Sequence, residues 1–334
     1  MKLKKDKKYC GVREWKIKTA KPILNEKVIR EWFFHQKERT KIFYKKEVLK
    51  ELSPWTEDEI LKKYKFVNTK RKWDRESRWL LENISENKKL SYENKILNSF
   101  LFRVINKGKT FEIFNGPLDF SKLEKEDLED IKNNLIKFEK YNPNYVFFSA
   151  AYILGGPKKN FGDWLKNEKN ENEENMVMRM IKFVSYNKEK ILKGIKEAQN
   201  QKEVYESLKS FLGIGKFLAY QIFVDLTYIE EFPFTENNFV ICGPGCDRGV
   251  NWIFKDKDGL TNEECLFWFV ENIDKIAKKY KLYWNEDEVF HFLPRSERFY
   301  SLMDMENSGA CEIDKRCCTL FAGKRLKQKY KKNN

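Results

Sequence analysis

Apolar residues recur along most of the chain at the spacing of amphipathic helices. Between Ile23 and Lys50, for example, Val28, Trp32 and Phe33 fall on one helical face. Few segments show the two-residue alternation that is typical of strands. The pattern therefore predicts an all-α fold of two helical lobes, with further helices over residues 60–84, 87–105, 123–141, 176–186, 188–198, 204–212 and 261–280.

A glycine-rich turn interrupts the helical pattern within residues 205–226. Leu212-Gly213-Ile214-Gly215-Lys216 runs directly into an apolar helical stretch, which predicts a helix-hairpin-helix. Glycines let the backbone approach a phosphate closely, and the amides and dipole at the start of the second helix attract the anion. We therefore expect Gly213, Ile214, Gly215 and Lys216 to contact DNA. A turn that only joins two packed helices is the open alternative.

The charge balance also favours a polyanionic partner. The chain has 66 Lys and Arg residues against 51 Asp and Glu residues, a net charge of +15. A field of this sign attracts phosphates. Because lysine-rich composition also arises from biased codon usage, the charge alone leaves nucleic-acid binding open. Together with the hairpin, it favours double-stranded DNA, and we infer no obligate protein partner.

Both ends of the chain are basic. We expect residues 1–20 to be a mobile arm and residues 324–334 to be a basic tail, with one helical domain of two lobes over residues 21–323. The longest apolar run is too short to span a bilayer, and no apolar region of a leader follows Met1. The sequence therefore predicts a soluble cytoplasmic protein without membrane contact.

Histidine and cysteine usage limits the candidate chemistry. Seven cysteines are scattered along the chain, and His35 and His291 are its two histidines. This pattern predicts neither a disulfide framework nor a histidine metal cage, so we expect no metal and no cofactor. Acid–base chemistry would then fall mainly on carboxylates, with Lys or Tyr as alternatives.

A Gly/Pro loop follows the hairpin over residues 243–249. It reads Gly243-Pro244-Gly245-Cys246-Asp247-Arg248-Gly249. A hairpin followed by a Gly/Pro loop that ends in an acid resembles the helical DNA glycosylase superfamily. The resemblance implies a two-lobed, glycosylase-like helical fold.

Longer segments resemble one branch of that superfamily. They are residues 54–80, 212–226, 243–249 and 311–315, so that the resemblance spans roughly residues 30–320. The branch is the alpha-glutamyl/putrescinyl thymine pyrophosphorylase group, also described as the helical domain associated with hydroxymethyluracil DNA kinases. The resemblance implies action on thymine-derived or hypermodified bases in DNA, in phage modification or in defence against phage. Because the sequence contains no P-loop, we expect this chain to lack the kinase activity itself.

Two acids are candidates for catalysis. A carboxylate facing the sugar stabilises the positive charge that develops when a base–sugar bond breaks. Asp247 lies 32 positions after Gly215, further than the acid of ordinary hairpin glycosylases, and an N-cap role is its alternative. Asp225 lies on the second hairpin helix, where a buried structural pair with an arginine is the alternative. We place Arg248 with the residues that contact DNA.

A second group of residues suggests a pocket for the base or its substituent. Asn68, Arg71, Arg75 and Arg78 recur at three- and four-residue spacing, which predicts one helix face holding phosphates or an anionic substituent. A solvated or salt-bridged face is the alternative. We add three residues to this pocket, which are Trp55, Glu306 and Glu312; the alternatives are a core position for Trp55 and a surface turn for the two acids.

The sequence thus favours a DNA glycosylase that flips a bulky 5-substituted pyrimidine out of phage-type DNA and leaves an abasic site. The first alternative is a transferase that displaces pyrophosphate from activated 5-hydroxymethyl-thymine with an amino acid or polyamine. The second is a noncatalytic DNA-binding module.

Overall fold

The computed structural model of the protein describes residues 9–149 and 155–330, with side chains for all of these except residues 155–158. It is mostly helical, which confirms the prediction of an all-α fold. The α-helices are α1 (Glu14–Thr19), α2 (Glu26–Phe43), α3 (Glu59–Lys63), α4 (Arg75–Leu80), α5 (Tyr92–Ile105), α6 (Gly108–Ile113), α7 (Lys125–Tyr141), α8 (Gly155–Lys169), α9 (Met176–Tyr186), α10 (Lys188–Lys196), α11 (Gln201–Lys209), α12 (Lys216–Leu226), α13 (Pro244–Ile253), α14 (Asn262–Lys279), α15 (Glu286–Val289), α16 (Leu302–Asp304) and α17 (Glu312–Leu320).

Shorter elements complete the described chain. Strand β1 (Ile23–Leu24) pairs antiparallel with β2 (Phe254–Asp256), with Leu24 opposite Phe254. The remaining helical turns are the 3₁₀ turns Arg71–Trp73 and Arg295–Glu297 and the π-helical turns Tyr44–Val48, Leu81–Ser85 and Met305–Cys311.

The chain divides into two compact units. The central unit contains Arg75–Thr235, and Cys10 belongs to it. The terminal unit contains Gly11–Asp74 and the described residues from Glu236 onward. Each unit has its own buried apolar core.

The core of the central unit forms around α5 and α12. Helix α12 is apolar on nearly all sides, and every residue from Leu218 to Leu226 is buried. It packs against α5 and α11, while α5 also packs against α9. Because a helix this apolar is stable in water only when it is covered, its neighbours must enclose it. Only the first residues of α12 remain at the surface.

The core of the terminal unit forms around α2 and α13. The indole of Trp32 on α2 lies 5.5 Å from that of Trp284 and 5.4 Å from the ring of Tyr300, measured between centroids. Helix α13 packs against α17 and against the π-helical turn Met305–Cys311. A buried guanidinium links further segments, since Arg316 pairs with Glu31 at 2.8 Å and with Asp58 at 3.0 Å.

Described residues near both chain ends make contacts with the rest of the terminal unit. Of the expected mobile arm, the described residues include α1, whose Ile17 is buried, and Arg13, which pairs with Glu264 at 2.5 Å. In the basic tail, the carbonyl of Gln328 accepts a hydrogen bond from the amide of Lys65 at 3.1 Å. Neither the first residues of the arm nor the last four of the tail are among the described residues.

The close packing of α13 depends on a glycine. A Cβ built at Gly249 would lie 2.0 Å from the carbonyl oxygen of Ala310, which is backbone and cannot rotate away. We therefore expect Gly249→Ala to lower the free energy of unfolding by about 1–3 kcal/mol, as measured by urea denaturation. Gly215→Ser is the matched control, because its Cβ would meet open space and serine is a good N-cap. Equal stability of the two variants would contradict this packing.

Among the described residues, no helix is both long and apolar enough to cross a membrane.

Candidate functional site

The glycine turn lies at the surface of the central unit, between α11 and α12. Gly213 has a φ of +79°, a conformation that L side chains rarely adopt. Gly215 is the N-cap of α12, and a Cβ added there would contact nothing within 4 Å. The chain itself therefore requires a glycine at position 213 but leaves the space beside position 215 open.

The tip of this turn is exposed except for one anchor. Ile214 is buried, whereas Leu212 is 49% and Phe217 is 44% exposed, and Lys216 is exposed beside them. The glycine turn and the first residues of α12 thus present a lysine and two apolar side chains to solvent. This geometry suits contact with a phosphate backbone. The assignment as a helix-hairpin-helix that binds DNA stays a prediction.

Asp225 lies inside the central unit, in an ion pair with Arg103. Nε of Arg103 donates to Oδ2 of Asp225 and Nη2 donates to Oδ1, both at 2.6 Å. The two side chains are 2% and 0% exposed. Since both carboxylate oxygens are occupied and enclosed, the arrangement matches the structural alternative that the sequence left open.

Asp247 lies in the first turn of α13. The N-cap of that helix is Gly243, and Pro244 occupies the first helical position, where its missing N–H costs nothing. The N-cap alternative for Asp247 is therefore wrong. Its Oδ1 accepts a hydrogen bond from the side-chain amide of Asn262 at 2.5 Å, and the residue is half-buried.

Glu306 lies in the π-helical turn Met305–Cys311, next to the start of α13. The residue is 4% exposed. Burial raises the pKa of Glu306 to about 7, although the amide of Gly243 and the nearby charges of Arg71 act to lower it. The surface-turn alternative for this acid is wrong, because it is enclosed. Its carboxyl changes protonation close to neutral pH, a property shared by many catalytic acids and bases.

Arg71 supplies the positive charge near Glu306. It is 5% exposed and begins the 3₁₀ turn Arg71–Trp73. Asp304 holds this segment, because its Oδ1 accepts from the amide of Arg71 at 3.0 Å and its Oδ2 accepts from Nζ of Lys70 at 3.2 Å. The charge of Arg71 lowers the pKa of Glu306 and that of Asp247 raises it, so both residues lie near this carboxyl within the terminal unit.

The four residues predicted to share a helix face do not share one. Asn68 precedes the 3₁₀ turn that contains Arg71, and Arg75 and Arg78 lie on α4 of the other unit. Asp74 ends the 3₁₀ turn in an extended conformation, which breaks the helical spacing. Asn68 is held by local bonds, donating to Oδ1 of Asp74 at 3.1 Å and to the carbonyl of Trp73 at 3.0 Å.

Arg75 and Arg78 line a groove of about 640 Å³ in the central unit. Lys107 and Lys109 line the same groove. The side chain of Arg75 is 82% exposed and pairs with the neighbouring Glu76 at 2.7 Å. Both arginines belong to the central unit, whereas Arg71 belongs to the terminal unit.

The other predicted site residues have structural partners in the terminal unit. The indole N–H of Trp55 donates to the carbonyl of Glu51 at 2.7 Å, and its ring packs against an apolar cluster. Glu312 is buried and accepts from Nζ of Lys315 at 2.6 Å. The exposed Arg248 pairs with Asp314 at 2.8 Å.

Three cysteine thiols lie near Glu306. The sequence did not predict that these three residues form a group. Sγ of Cys246 lies 3.3 Å from Sγ of Cys242, and Sγ of Cys311 lies 3.8 Å from Oε1 of Glu306. The spacing Cys242-Gly-Pro-Gly-Cys246 was a signal for the first pair, but nothing in the sequence places Cys311 beside it. Among the described residues, no group of three or more His, Cys, Asp or Glu side chains is arranged to hold a metal ion.

Comparison with known proteins identifies the relatives of this chain. A family model described as "5-hmdU DNA kinase, helical domain" matches residues 26–321. The 5-hmdU DNA kinase of Bacillus phage SP10 is 24% identical over 265 residues, which cover 75% of this chain and 40% of that protein. The chain thus spans well under half the length of the curated relative. No solved structure matches it, and a place in the glycosylase superfamily stays a prediction.

These findings contradict the functional predictions made from the sequence. The relative is a kinase, an enzyme that transfers phosphate, and the family model is named for the helical domain of that kinase. The predictions of a glycosylase, of base excision and of an amino acid or polyamine transferase are therefore wrong. The alternative of a noncatalytic DNA-binding module is not tested by these findings. The expected link to modified DNA agrees with the relative's name.

Proposed function

The chain belongs to the family of the 5-hmdU DNA kinase helical domain, and from that premise we propose that it acts in the phosphorylation of 5-hydroxymethyluracil in DNA. In this proposal the chain binds the DNA and presents the hydroxymethylated base for phosphorylation. The family match over residues 26–321 is the observation that carries it. The net charge of +15 supports a DNA partner.

The exposed glycine turn is the DNA contact of this proposal. The open space beside Gly215 allows a phosphate to approach the backbone, and the start of α12 places amides and Lys216 next to it. Contacts of this kind orient a duplex without reading its sequence. They suit a protein that must hold DNA while one modified base is acted on.

Glu306 is the acid–base group of the proposal. The hydroxyl that attacks a phosphoryl group gives up its proton, and a positioned carboxylate is the usual acceptor in kinases. A carboxyl with a pKa of about 7 is present in both protonation states near neutral pH. We therefore propose Glu306 as the acceptor of this proton, a role that requires the hydroxymethyl group to reach a carboxyl that is 4% exposed.

The phosphoryl donor is not assigned to residues of this chain. The 334 residues contain no G-x-x-x-x-G-K-[ST] sequence, but this pattern describes only one kind of nucleotide site. Since the chain matches 40% of the kinase, its lack of a P-loop does not separate it from phosphoryl transfer. The missing P-loop is therefore no ground for expecting that this chain has no role in phosphoryl transfer.

Lys216→Glu should weaken the binding of a duplex that carries 5-hydroxymethyluracil by about three- to tenfold, because one phosphate contact becomes repulsive. The slope of log affinity against log salt should fall by about one unit. Fluorescence anisotropy over a salt series measures both quantities.

Lys202→Glu is the matched control, because Lys202 is an exposed lysine on α11 and its substitution changes the net charge by the same amount. It should leave affinity within about twofold of the unsubstituted protein. Equal losses for the two variants would show that the turn makes no specific phosphate contact.

A further inference from the structure

An aromatic cleft lies on the terminal unit, and Glu306 is not among the residues that line it. It has a volume of about 270 Å³ and lies between the end of α2 and the segment around α15. The side chains that matter for its chemistry are those of Tyr44, Tyr283, His291, Phe292, Lys37 and Lys41. We call these six residues the aromatic cleft.

The rings of the cleft are packed together but remain partly open to solvent. The centroid of Tyr44 lies 5.0 Å from that of Phe292 at an interplanar angle of 27°, and 4.9 Å from that of His291 at 70°. Tyr283 is 55% exposed. Nδ1 of His291 lies 2.9 Å from the carbonyl of Glu288, which fixes the orientation of that ring. Preformed aromatic rings that are partly open to solvent offer platforms on which nucleobases stack.

Two lysines give the cleft its charge. Lys37 and Lys41 are four residues apart on α2 and therefore lie on the same side of that helix. Nζ of Lys41 is 3.9 Å from the carboxylate of Glu38, at the outer limit of an ion pair, and its side chain is 56% exposed. The ammonium group of Lys41 therefore has little to displace when a phosphate approaches.

Glu288 is the acidic residue in the lining of the cleft, and its carboxylate accepts hydrogen bonds from neighbouring side chains. Glu288 accepts from the side-chain amide of Asn285 at 3.2 Å. It also accepts from the hydroxyl of Tyr283, and this hydrogen bond raises the pKa of that phenol. The carboxylate is thus turned toward its own segment, so the two lysines set the sign of the cleft.

We propose that the aromatic cleft binds one unpaired base of a DNA strand, with the neighbouring phosphate on Lys37 and Lys41. A volume of about 270 Å³ lies below the roughly 300–1,000 Å³ of pockets for larger ligands, and it suits a single base. Aromatic platforms beside cations are the general means of holding single-stranded nucleic acid. The inference rests on the proposed function only in that DNA is the partner.

The test compares two single-stranded oligonucleotides of equal length, one of thymidines and one with an abasic backbone. The full-length protein should bind the thymidine strand about tenfold more tightly, since only that strand offers bases to stack. Tyr283→Ala should remove this preference, whereas Tyr283→Phe should retain it because the ring is preserved. Tyr141→Ala removes an exposed tyrosine of α7 and should also retain it.

Three results would overturn the inference. They are equal affinity of the unsubstituted protein for both strands, an unchanged preference in Tyr283→Ala, and displacement of the strand by thymidine monophosphate at concentrations where the strand itself competes. The last result would assign the cleft to a free nucleotide. Preference for 5-hydroxymethyluracil in a duplex is a separate readout, so failure of the cleft and failure of the proposed function are distinguishable.

Discussion

Asp225→Ala should lower the free energy of unfolding by about 3–5 kcal/mol, the usual cost of leaving one charge of a buried pair without its partner. The guanidinium of Arg103 would remain 2% exposed and would lose two hydrogen bonds of 2.6 Å. Oδ1 of Asn106 also accepts a hydrogen bond from Nη1 of Arg103 at 2.8 Å, but this amide carries no compensating charge. Urea denaturation followed by circular dichroism measures the loss.

An exposed ion pair provides the control for this experiment. Glu93→Ala breaks the pair of Glu93 with Lys196, whose side chains are 43% and 49% exposed, and it should cost only about 0–1 kcal/mol. The double variant Arg103→Met with Asp225→Leu should recover much of the stability, because no buried charge remains. A cost for Asp225→Ala no larger than that for Glu93→Ala would refute the structural role and return Asp225 to the candidate site residues.

Glu306→Gln should stabilise the protein at alkaline pH and have little effect near pH 5. The pKa of Glu306 is about 7 in the folded protein against 4.5 for an ordinary glutamate. Since folding favours the protonated carboxyl, the contribution of Glu306 to stability is lost as the pH rises from about 5 through 7. Glutamine resembles the protonated acid and carries no such loss. The variant should therefore be more stable above pH 7 by on the order of 3 kcal/mol.

Denaturation curves of both proteins from about pH 5 to pH 8 measure this difference. The comparison between proteins is needed because burial also raises the pKa of Asp74, to about 6, which adds its own pH dependence to both. Glu129→Gln removes an exposed carboxyl of α7 and is the control for a lost charge. A difference between Glu306→Gln and the unsubstituted protein that is constant with pH would remove the basis for Glu306 as a proton acceptor.

Local patterns in the sequence predicted local structure well. The apolar spacing predicted helices that correspond to α5, α7 and α14, and the glycines predicted a turn before α12. The position of Asp225 among apolar residues already suggested a buried arginine partner, and Arg103 is that partner. These features depend on residues a few positions apart, or on one charge that must be neutralised in an apolar helix.

The candidate site could not be assembled from spacing alone. Asn68, Arg71 and Arg75 have helical spacing, but Asp74 is extended and separates the 3₁₀ turn from α4. Glu306 becomes unusual because segments from distant parts of the chain bury it, which raises its pKa although the amide of Gly243 and the charge of Arg71 act to lower it. Such contacts depend on how helices pack, which the sequence of one helix does not specify.

The prediction of base excision was wrong because local motifs do not specify the reaction. The hairpin and Gly/Pro loop suggested base excision, but a turn that contacts phosphates carries no information about which bond is broken. The kinase relationship changes the chemistry proposed for the same surfaces. In the proposed function DNA stays the partner, and the candidate acid is Glu306 rather than Asp247, because burial raises the pKa of Glu306 to about 7.

The most direct test of the central claim is the affinity of the full chain for two duplexes that differ only in one base, 5-hydroxymethyluracil or thymine. The account predicts tighter binding of the hydroxymethylated duplex, by about tenfold, which corresponds to about 1.4 kcal/mol and to one or two new hydrogen bonds to the hydroxyl. The DNA should be recovered without abasic sites. Equal affinity for the two duplexes, or release of the modified base, would contradict the account.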